Sequence, residues 1–459
     1  MKYRRPHTAA TVAAVLPLLL MAGATGVGAV SDEEIFRDFP FNLTNPGARA
    51  LGLGGAFISL ADDSTAAQSN PAGLTNLRRP ELFAELRVRN YDSSATSVSS
   101  TLNGSFFQGD VTSSAVSQPE NTFSPSFISY VKPFEIVSLG FSRLESLNIQ
   151  NRTLNTFSIN GTEAIVSTLD GNGEPDITGF QPVDFELTAA ADADAVIVQY
   201  NVALAVEVHR RLSIGVTGVV GTAKIDGRVD NMFTDNAPGS PFTQPTLDYS
   251  TRIDDSDTDI AFNAGLIWRP TDWASIGAVY RQGPRFVLEQ TIGNVGVRAD
   301  EAQEVFGTSF DNVIHTPDSY GLGLAFRPAE PWTILVDVVQ MEYSDLMDDY
   351  VSGLNRISFP SNRAEFIVDD GTEFHLGVEK IFLSGTTPLA LRFGGWSDPD
   401  HRIRAADTSG LLEVFPGGER VDHYTAGFGM TLKQAIQIDV AVDISDVNSN
   451  FVFSTIYRF

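Results

Sequence analysis

VIVQYNVALAVEV, residues 196–208, alternates with a period of two. The even positions Val196, Val198, Tyr200, Val202, Leu204, Val206 and Val208 are all apolar, while Ile197, Gln199, Asn201, Ala203, Ala205 and Glu207 are mostly small or polar. Successive side chains of a strand point to opposite faces, so this stretch has one greasy side and one wet side. It is longer than the ~5–6 residues usual in soluble sheets. The pattern recurs at Leu212/Ile214/Val216, Ile260/Phe262/Ala264/Leu266/Trp268, Trp332/Ile334/Val336/Val338, Tyr424/Ala426/Phe428/Met430 and Ile436/Ile438/Val440/Val442/Ile444. A transmembrane barrel requires strands of ~9–11 residues, apolar outward and polar inward. A β-sandwich also alternates, but with shorter strands and its polar face in water.

About fourteen such segments can be counted, and an even number closes an antiparallel barrel. They lie near 80–92, 122–133, 136–149, 195–209, 211–229, 257–269, 272–292, 316–327, 331–345, 371–382, 387–399, 421–432, 435–447 and 450–459. Connections alternate between short turns, such as Lys132–Glu135, Arg269–Asp272 and Arg327–Glu330, and longer polar loops. Short periplasmic turns opposite long outer loops are the outer-membrane arrangement. Trp268, Trp273 and Trp332 sit beside short turns, where an aromatic girdle meets the interface. The fold expected is all-β: a 14-stranded antiparallel transmembrane β-barrel with an N-terminal hatch in its lumen.

The remainder of the composition agrees. The 459 residues include no cysteine, which excludes a disulfide framework, a thiolate metal site, a cysteine nucleophile and a lipoprotein anchor. A formal charge of −26 makes nucleic acid a poor partner. Lys2, Arg4 and Arg5, the apolar run Ala9 to Ala24, and small residues around Val27–Ser31 form a secretory signal peptide. Its removal takes three bases from 31 and leaves 28 − 57 = −29. The chain therefore divides into a signal peptide (1–29), a hatch or plug (30–79) and a barrel (80–459). Asn45–Leu77 carries Gly47, Gly52, Gly54 and Gly55, which permit close backbone approach, and Pro46 and Pro71, which prevent a continuous helix. With few bulky anchors besides Phe57, Ile58, Leu60 and Leu74, it suits a plug that shifts at low cost.

The stretch GARALGLGGAFISLADDSTAAQSNPAGL resembles the N-terminal hatch of the FadL-type outer-membrane transporters of long-chain fatty acids and other hydrophobic compounds. FNAGLIWRPTDWASIGAVYR (262–281), TPDSYGLGLAFRPAEPWTILVDV (316–338) and FHLGVEKIF…PLALRFGGWSDP (374–399) resemble that family's later strands. The most specific piece is Asn70-Pro71-Ala72-Gly73-Leu74 shortly after Asp62-Asp63. PorV-like barrels, which partner a secretion system, share the hatch motif; the later blocks favour the FadL type, and a structural barrel stays as the alternative. The terminal Phe459 on an aromatic strand resembles the signal read by the barrel-assembly machinery.

The resemblance implies residence in the outer membrane, amid its lipid and lipopolysaccharide, and passive uptake of long-chain fatty acids or hydrocarbons. It assigns gating to Gly54, Gly55 and Asn70–Leu74, and substrate contact to Phe57, Ile58, Leu60 and Leu74. It also implies sideways exit at a kink in the third strand. There Val137, Leu139 and Phe141 share a parity with Leu147 and Ile149 across the charged Arg143 and Glu145. A bulge or inward fold between Gly140 and Ser146, involving Ser142, Arg143 and Glu145, resolves that conflict; a charged pair on the rim above the apolar band also would.

Catalysis is not expected. No G-x-S-x-G motif occurs, and His375 and His423 read as inward polar lining. Inward Asp337, Glu379, Asp439 and Asp443 read as a polar wall paired with arginines such as Arg392. No cofactor is expected, apart from a structural calcium candidate at Asp170, Asn172, Glu174 and Asp176, whose oxygens fall at alternate positions. A second acidic cluster is Asp254, Asp255, Asp257 and Asp259.

Overall fold

The computed structural model describes residues 43–459 apart from 92–93, 104–106, 120, 170–174, 239–245, 295–304, 351–365, 385–386 and 407–416. The signal peptide and the start of the hatch, 1–42, lie outside the described residues, as do Asp170, Asn172 and Glu174. Asp176 is on a strand, but the calcium expectation as a whole falls outside what is described.

The strands are β1 Glu81–Tyr91, β2 Ser94–Asn103, β3 Phe107–Pro119, β4 Thr122–Pro133, β5 Val137–Leu169, β6 Pro175–His209 and β7 Leu212–Asp235. There follow β8 Thr246–Thr271, β9 Ala274–Arg281, β10 Arg285–Asn294, β11 Val305–His315, β12 Ser319–Phe326 and β13 Trp332–Met341. A two-residue ladder pairs β14 Phe366–Ile367 with β17 Arg404–Ala405. The remaining strands are β15 Gly371–Ser384, β16 Thr387–Asp398, β18 Val421–Leu432, β19 Ile436–Ile444 and β20 Asn448–Arg458. A 14-stranded antiparallel barrel closes in the order β1, β4, β5, β6, β7, β8, β9, β12, β13, β15, β16, β18, β19, β20. The seam is β1 against β20, with Glu81 opposite Arg458 and Tyr91 opposite Asn448. Closure leaves the barrel no sheet edge to protect.

The outward face is apolar in the way a soluble protein forbids. Ile260 is 76% exposed, Tyr424 72% and Leu322 65%, and they belong to a continuous belt. Trp268, Trp273 and Trp332 stand exposed at the turn end of that belt. No described helix is long and apolar enough to cross a membrane.

The connections depart from the sequence reading. Residues 93–121 and 293–315 were expected as polar loops, and the first contains β2 and β3, the second β11 and the end of β10. β5 to β8 continue well past the belt, and β2, β3, β10 and β11 join them in an open upper sheet ordered β2-β3-β5-β6-β7-β8-β10-β11. Above the oil both faces meet water, so the greasy alternation that marks a spanning strand disappears there. The segment 272–292, expected as one strand, is broken between β9 and β10: Pro284 has no N–H for a ladder, and a Cβ on Gly283 would lie 1.7 Å from the Thr316 carbonyl oxygen.

The acidic cluster on β8 acquires a structural role at this break. Asp259, Asp257 and Asp255 accept the backbone N–H of Arg285, Val287 and Glu289 at 2.8, 2.7 and 2.8 Å. Three carboxylates at alternate positions thus replace backbone carbonyls along one stretch of the β8–β10 contact.

Candidate functional site

The hatch fills the turn end of the lumen as α1 Ala48–Leu51, α2 Ala66–Ser69 and a 3-10 turn Pro71–Asn76. Such short turns leave many backbone groups without local partners, and a buried group left so is costly. Inward polar side chains of the barrel supply the partners. Asp337 on β13 accepts both Phe57 N–H and Ile58 N–H, at 2.7 and 2.9 Å. Thr425 on β18 accepts Gly54 N–H at 3.0 Å, and Glu81 on β1 accepts Ser64 N–H at 3.0 Å. Ser129, Thr217 and Ser275 donate to the carbonyls of Ser64, Ala67 and Ser59, each at 3.1 Å. Arg281 donates to Ser69 O at 2.7 Å. The plug is bonded on nearly every side, so moving it costs more than its glycine content suggested.

The motif Asn70–Leu74 is buried throughout. Asn70 caps its own turn through Ala72 N–H at 3.2 Å, and its Nδ2 donates to Ile58 O at 2.9 Å and Leu266 O at 3.2 Å. One asparagine therefore ties the two halves of the hatch to β8, which hydroxyl or aliphatic side chains cannot reproduce. Pro71 starts the turn where its missing N–H is harmless. Gly54, at φ +66, lies so near β15 and β16 that a Cβ would be 2.6 Å from Leu376 O and from Gly395 N. Sequence reading missed the matching feature of the wall. Inward Gly215, Gly265, Gly277, Gly323, Gly377 and Gly394 each face hatch atoms within 3.0 Å of a hypothetical Cβ. Glycines at inward parity on several strands at one depth are the signal that would have revealed it.

A buried ionic chain crosses from hatch to wall. Arg49 pairs with Asp62 at 2.6 Å and with Glu379 at 3.1 Å; Glu379 pairs with Arg392 at 2.7 Å, and Arg392 with Asp439 at 2.6 Å. Burial works against the charge on Arg49, but Asp62 and Glu379 outweigh it and hold the guanidinium protonated. Asp63, beside this chain, is raised above the ordinary carboxylate range, chiefly by burial, despite Arg49 and two bonds from Thr65. The folded protein thus binds a proton more readily there than the unfolded chain, so stability is fullest below the ordinary carboxylate range and falls as pH rises through the raised value. Asp63→Asn, whose oxygen can still accept from Thr65, is expected to flatten the pH dependence of the thermal midpoint above the ordinary carboxylate range. An unchanged slope would remove Asp63 from that role.

His375 and His423 sit on either side of Trp396, stacked at 5.6 and 3.9 Å between ring centroids. His375 Nδ1 lies 2.7 Å from Gly54 O and its Nε2 3.0 Å from Glu373, while His423 meets Asp443 at 3.0 Å. Each ring is locked between a carboxylate and a neighbour, and His375 additionally holds the hatch.

Beyond the hatch the lumen holds an apolar cluster beside buried polar side chains such as Gln199 and Gln290. Leu147, Ile149, Ile197, Ile225, Phe286 and Leu288 belong to one buried cluster that also includes hatch Ile58. Phe57, Leu60 and Leu74 pack instead with wall residues such as Val131, Ile267 and Leu335. Of the four hatch residues singled out for substrate contact, only Ile58 joins the lumenal cluster. A separate aromatic cluster lies higher up, with Phe157, Ile159 and Phe185 packed against Phe233.

The wall is interrupted beside this lumen. The β4–β5 ladder ends at Phe127 opposite Leu144, and β5 next finds a partner on that side at Asn151, opposite Pro119. Pro125 cannot donate to a ladder. Opposite it, β5 shifts register against β6 between Glu145 and Leu147, leaving Ser146 as the extra residue. The bulge reverses parity: Phe141 faces out, whereas Leu147 and Ile149 are 1% and 6% exposed and face in. Arg143 donates to Pro125 O at 2.7 Å and meets Glu145 at 3.5 Å, so these charges line the interruption. Gly140 lies below it in the regular ladder, opposite Val131, and Ser142 bonds Asn201 at 3.2 Å.

A plugged barrel with a greasy belt, an apolar lumenal cluster and a broken wall defines a class of outer-membrane protein. The family model described as outer membrane protein transport protein (OMPP1/FadL/TodX) matches residues 180–452, and the chain belongs to that family. The crystal structure of a Pseudomonas aeruginosa FadL homologue is similar, with a TM-score of 0.59 at 14% identity over 91% of this chain and 98% of that one. The Ralstonia pickettii toluene transporter TbuX gives 0.55 at 14% identity over 91% and 99%, and the P. putida toluene transporter TodX 0.53 at 15% over 91% and 99%. At such identities the likeness is one of fold. No curated protein matches the chain.

Proposed function

We propose that the protein is a passive conduit for hydrophobic small molecules, taken in from outside, held at the apolar lumenal cluster and released sideways between β4 and β5. The observation that carries this reading is the adjacency of the Leu147–Ile149–Ile197 lining to the unpaired stretch of β5. Each methylene moved from water to such a lining gains ~0.8 kcal/mol, enough to draw an alkyl chain or an aromatic ring inward without an energy source. Buried Asp337 and Glu373 near that lining suit a neutral hydrocarbon better than a fatty-acid carboxylate. The toluene named for TbuX and TodX is of that neutral kind.

The arrangement supports transport and not catalysis, and a purely structural barrel has no use for an apolar lumenal cluster with a side opening. Deleting the protein is expected to slow uptake of toluene or a medium-chain alkane strongly, and of long-chain fatty acid less. Normal uptake of all three would end the conduit reading, and co-purification with large secretion subunits would favour the structural one.

A further inference from the structure

At the turn end of the barrel a half-open cavity of about 480 Å³ is lined among others by Arg210, Arg211, Arg269, Arg327, His209 and the single acid Asp272. In a chain of net charge −26, four guanidiniums at one cavity are not a matter of composition. Among the described residues none of the four has a carboxylate within ion-pair distance. Arg211 donates to Pro270 O, and Arg269 to Asn76 Oδ1 and, at 3.5 Å, to Ser213 Oγ, so their planar forks are held by neutral acceptors. Arg210 and Arg211 are exposed and Arg269 and Arg327 half-buried, whereas the fully buried Arg392 is neutralised by Glu379 and Asp439. At the cavity, Asp272 in the lining and Glu207, which acts on Arg269 from beyond ion-pair distance, offset only part of the four positive charges.

We infer that this cavity binds an oxyanion, a carboxylate or a phosphate group, at the periplasmic mouth. Guanidinium forks match such groups in pairs of parallel hydrogen bonds, and several forks converging on one volume supply both charge and geometry. Asn76, which ends the hatch's 3-10 turn, shares Arg269 with the cavity, so an occupant contacts the side chain that holds the plug's last turn. The site does not rest on the transport reading: it stands on the unpaired charge alone.

The test uses the full mature chain purified in a neutral detergent and phosphate-free buffer, titrated calorimetrically with inorganic phosphate, with laurate and with dodecanol. Binding of phosphate, displaced by laurate, assigns a free-oxyanion pocket; laurate binding that dodecanol does not compete for, with no phosphate binding, assigns an amphiphile's head group. In either case Arg210→Gln and Arg327→Gln, alone, are each expected to weaken binding by about tenfold, and raised salt to weaken it further. Unaltered heat-modifiable migration in gels shows that the variants are folded. The inference is overturned if neither anion binds, or if both folded variants bind as the parent does.

Discussion

Glu379→Ala is expected to loosen the plug and to cost about 3–5 kcal/mol, the usual penalty for removing one member of a buried ionic set. Glu379 is the middle of the chain Asp62–Arg49–Glu379–Arg392–Asp439, and its loss leaves two guanidiniums side by side in a dry lumen. The barrel ladders are untouched, so the damage falls on the hatch. Two readouts should move together: the temperature at which the folded band disappears in gels drops, and the closed barrel shows steady conductance in planar bilayers. Glu379→Gln, which keeps acceptor oxygen for one arginine, should lie between. A Glu379→Ala protein with parental melting and no added conductance would show that the ionic chain does not hold the plug.

The second large effect concerns the side opening. Removing Ser146 together with Pro125→Val restores a regular register and gives β4 back an N–H, so β4 and β5 can zip past Leu144. Glu145→Val belongs in the same variant, because a regular strand turns that carboxylate toward lipid, at a cost of a few kcal/mol near mid-depth. With the wall closed, uptake of the hydrophobic compound should fall to the level of cells lacking the protein, while folding and surface amount stay normal. Normal uptake by the sealed barrel would place the exit elsewhere.

How much of this was readable beforehand depends on where each residue finds its partner. The spanning strands were legible because lipid on one side and water on the other imprint a period of two, as Val196–Val208 shows. The upper sheet was not: Ser94–Asn103 is mostly serine, threonine and asparagine, which reads as loop when no oil sorts its faces. Arg143 and Glu145 announced a conflict, and a bulge was one of the two readings offered, but its consequence was hidden. Leu147 and Ile149 were placed on the face of Phe141, and the extra Ser146 turns them to the opposite one. The hatch motif was visible as Asn70-Pro71-Ala72-Gly73-Leu74, yet its anchors were not. Asp337 lies 280 positions from Phe57, and Glu379 lies 330 from Arg49. Local pattern carries no trace of such pairings.

The height of β5 has one more consequence. Its 33 residues make roughly 110 Å of chain at ~3.3 Å each, where crossing the hydrocarbon uses only ~9–11 residues. Phe157, 20 positions beyond Val137, therefore stands ~50 Å along the barrel axis from the inner rim once strand tilt is allowed for, about twice the ~25 Å greasy zone. The aromatic patch it forms with Phe185 and Phe233 is lifted well clear of the greasy zone. The distance the strands reach beyond the oil, more than the thickness of the oil itself, is the dimension to which this protein is cut.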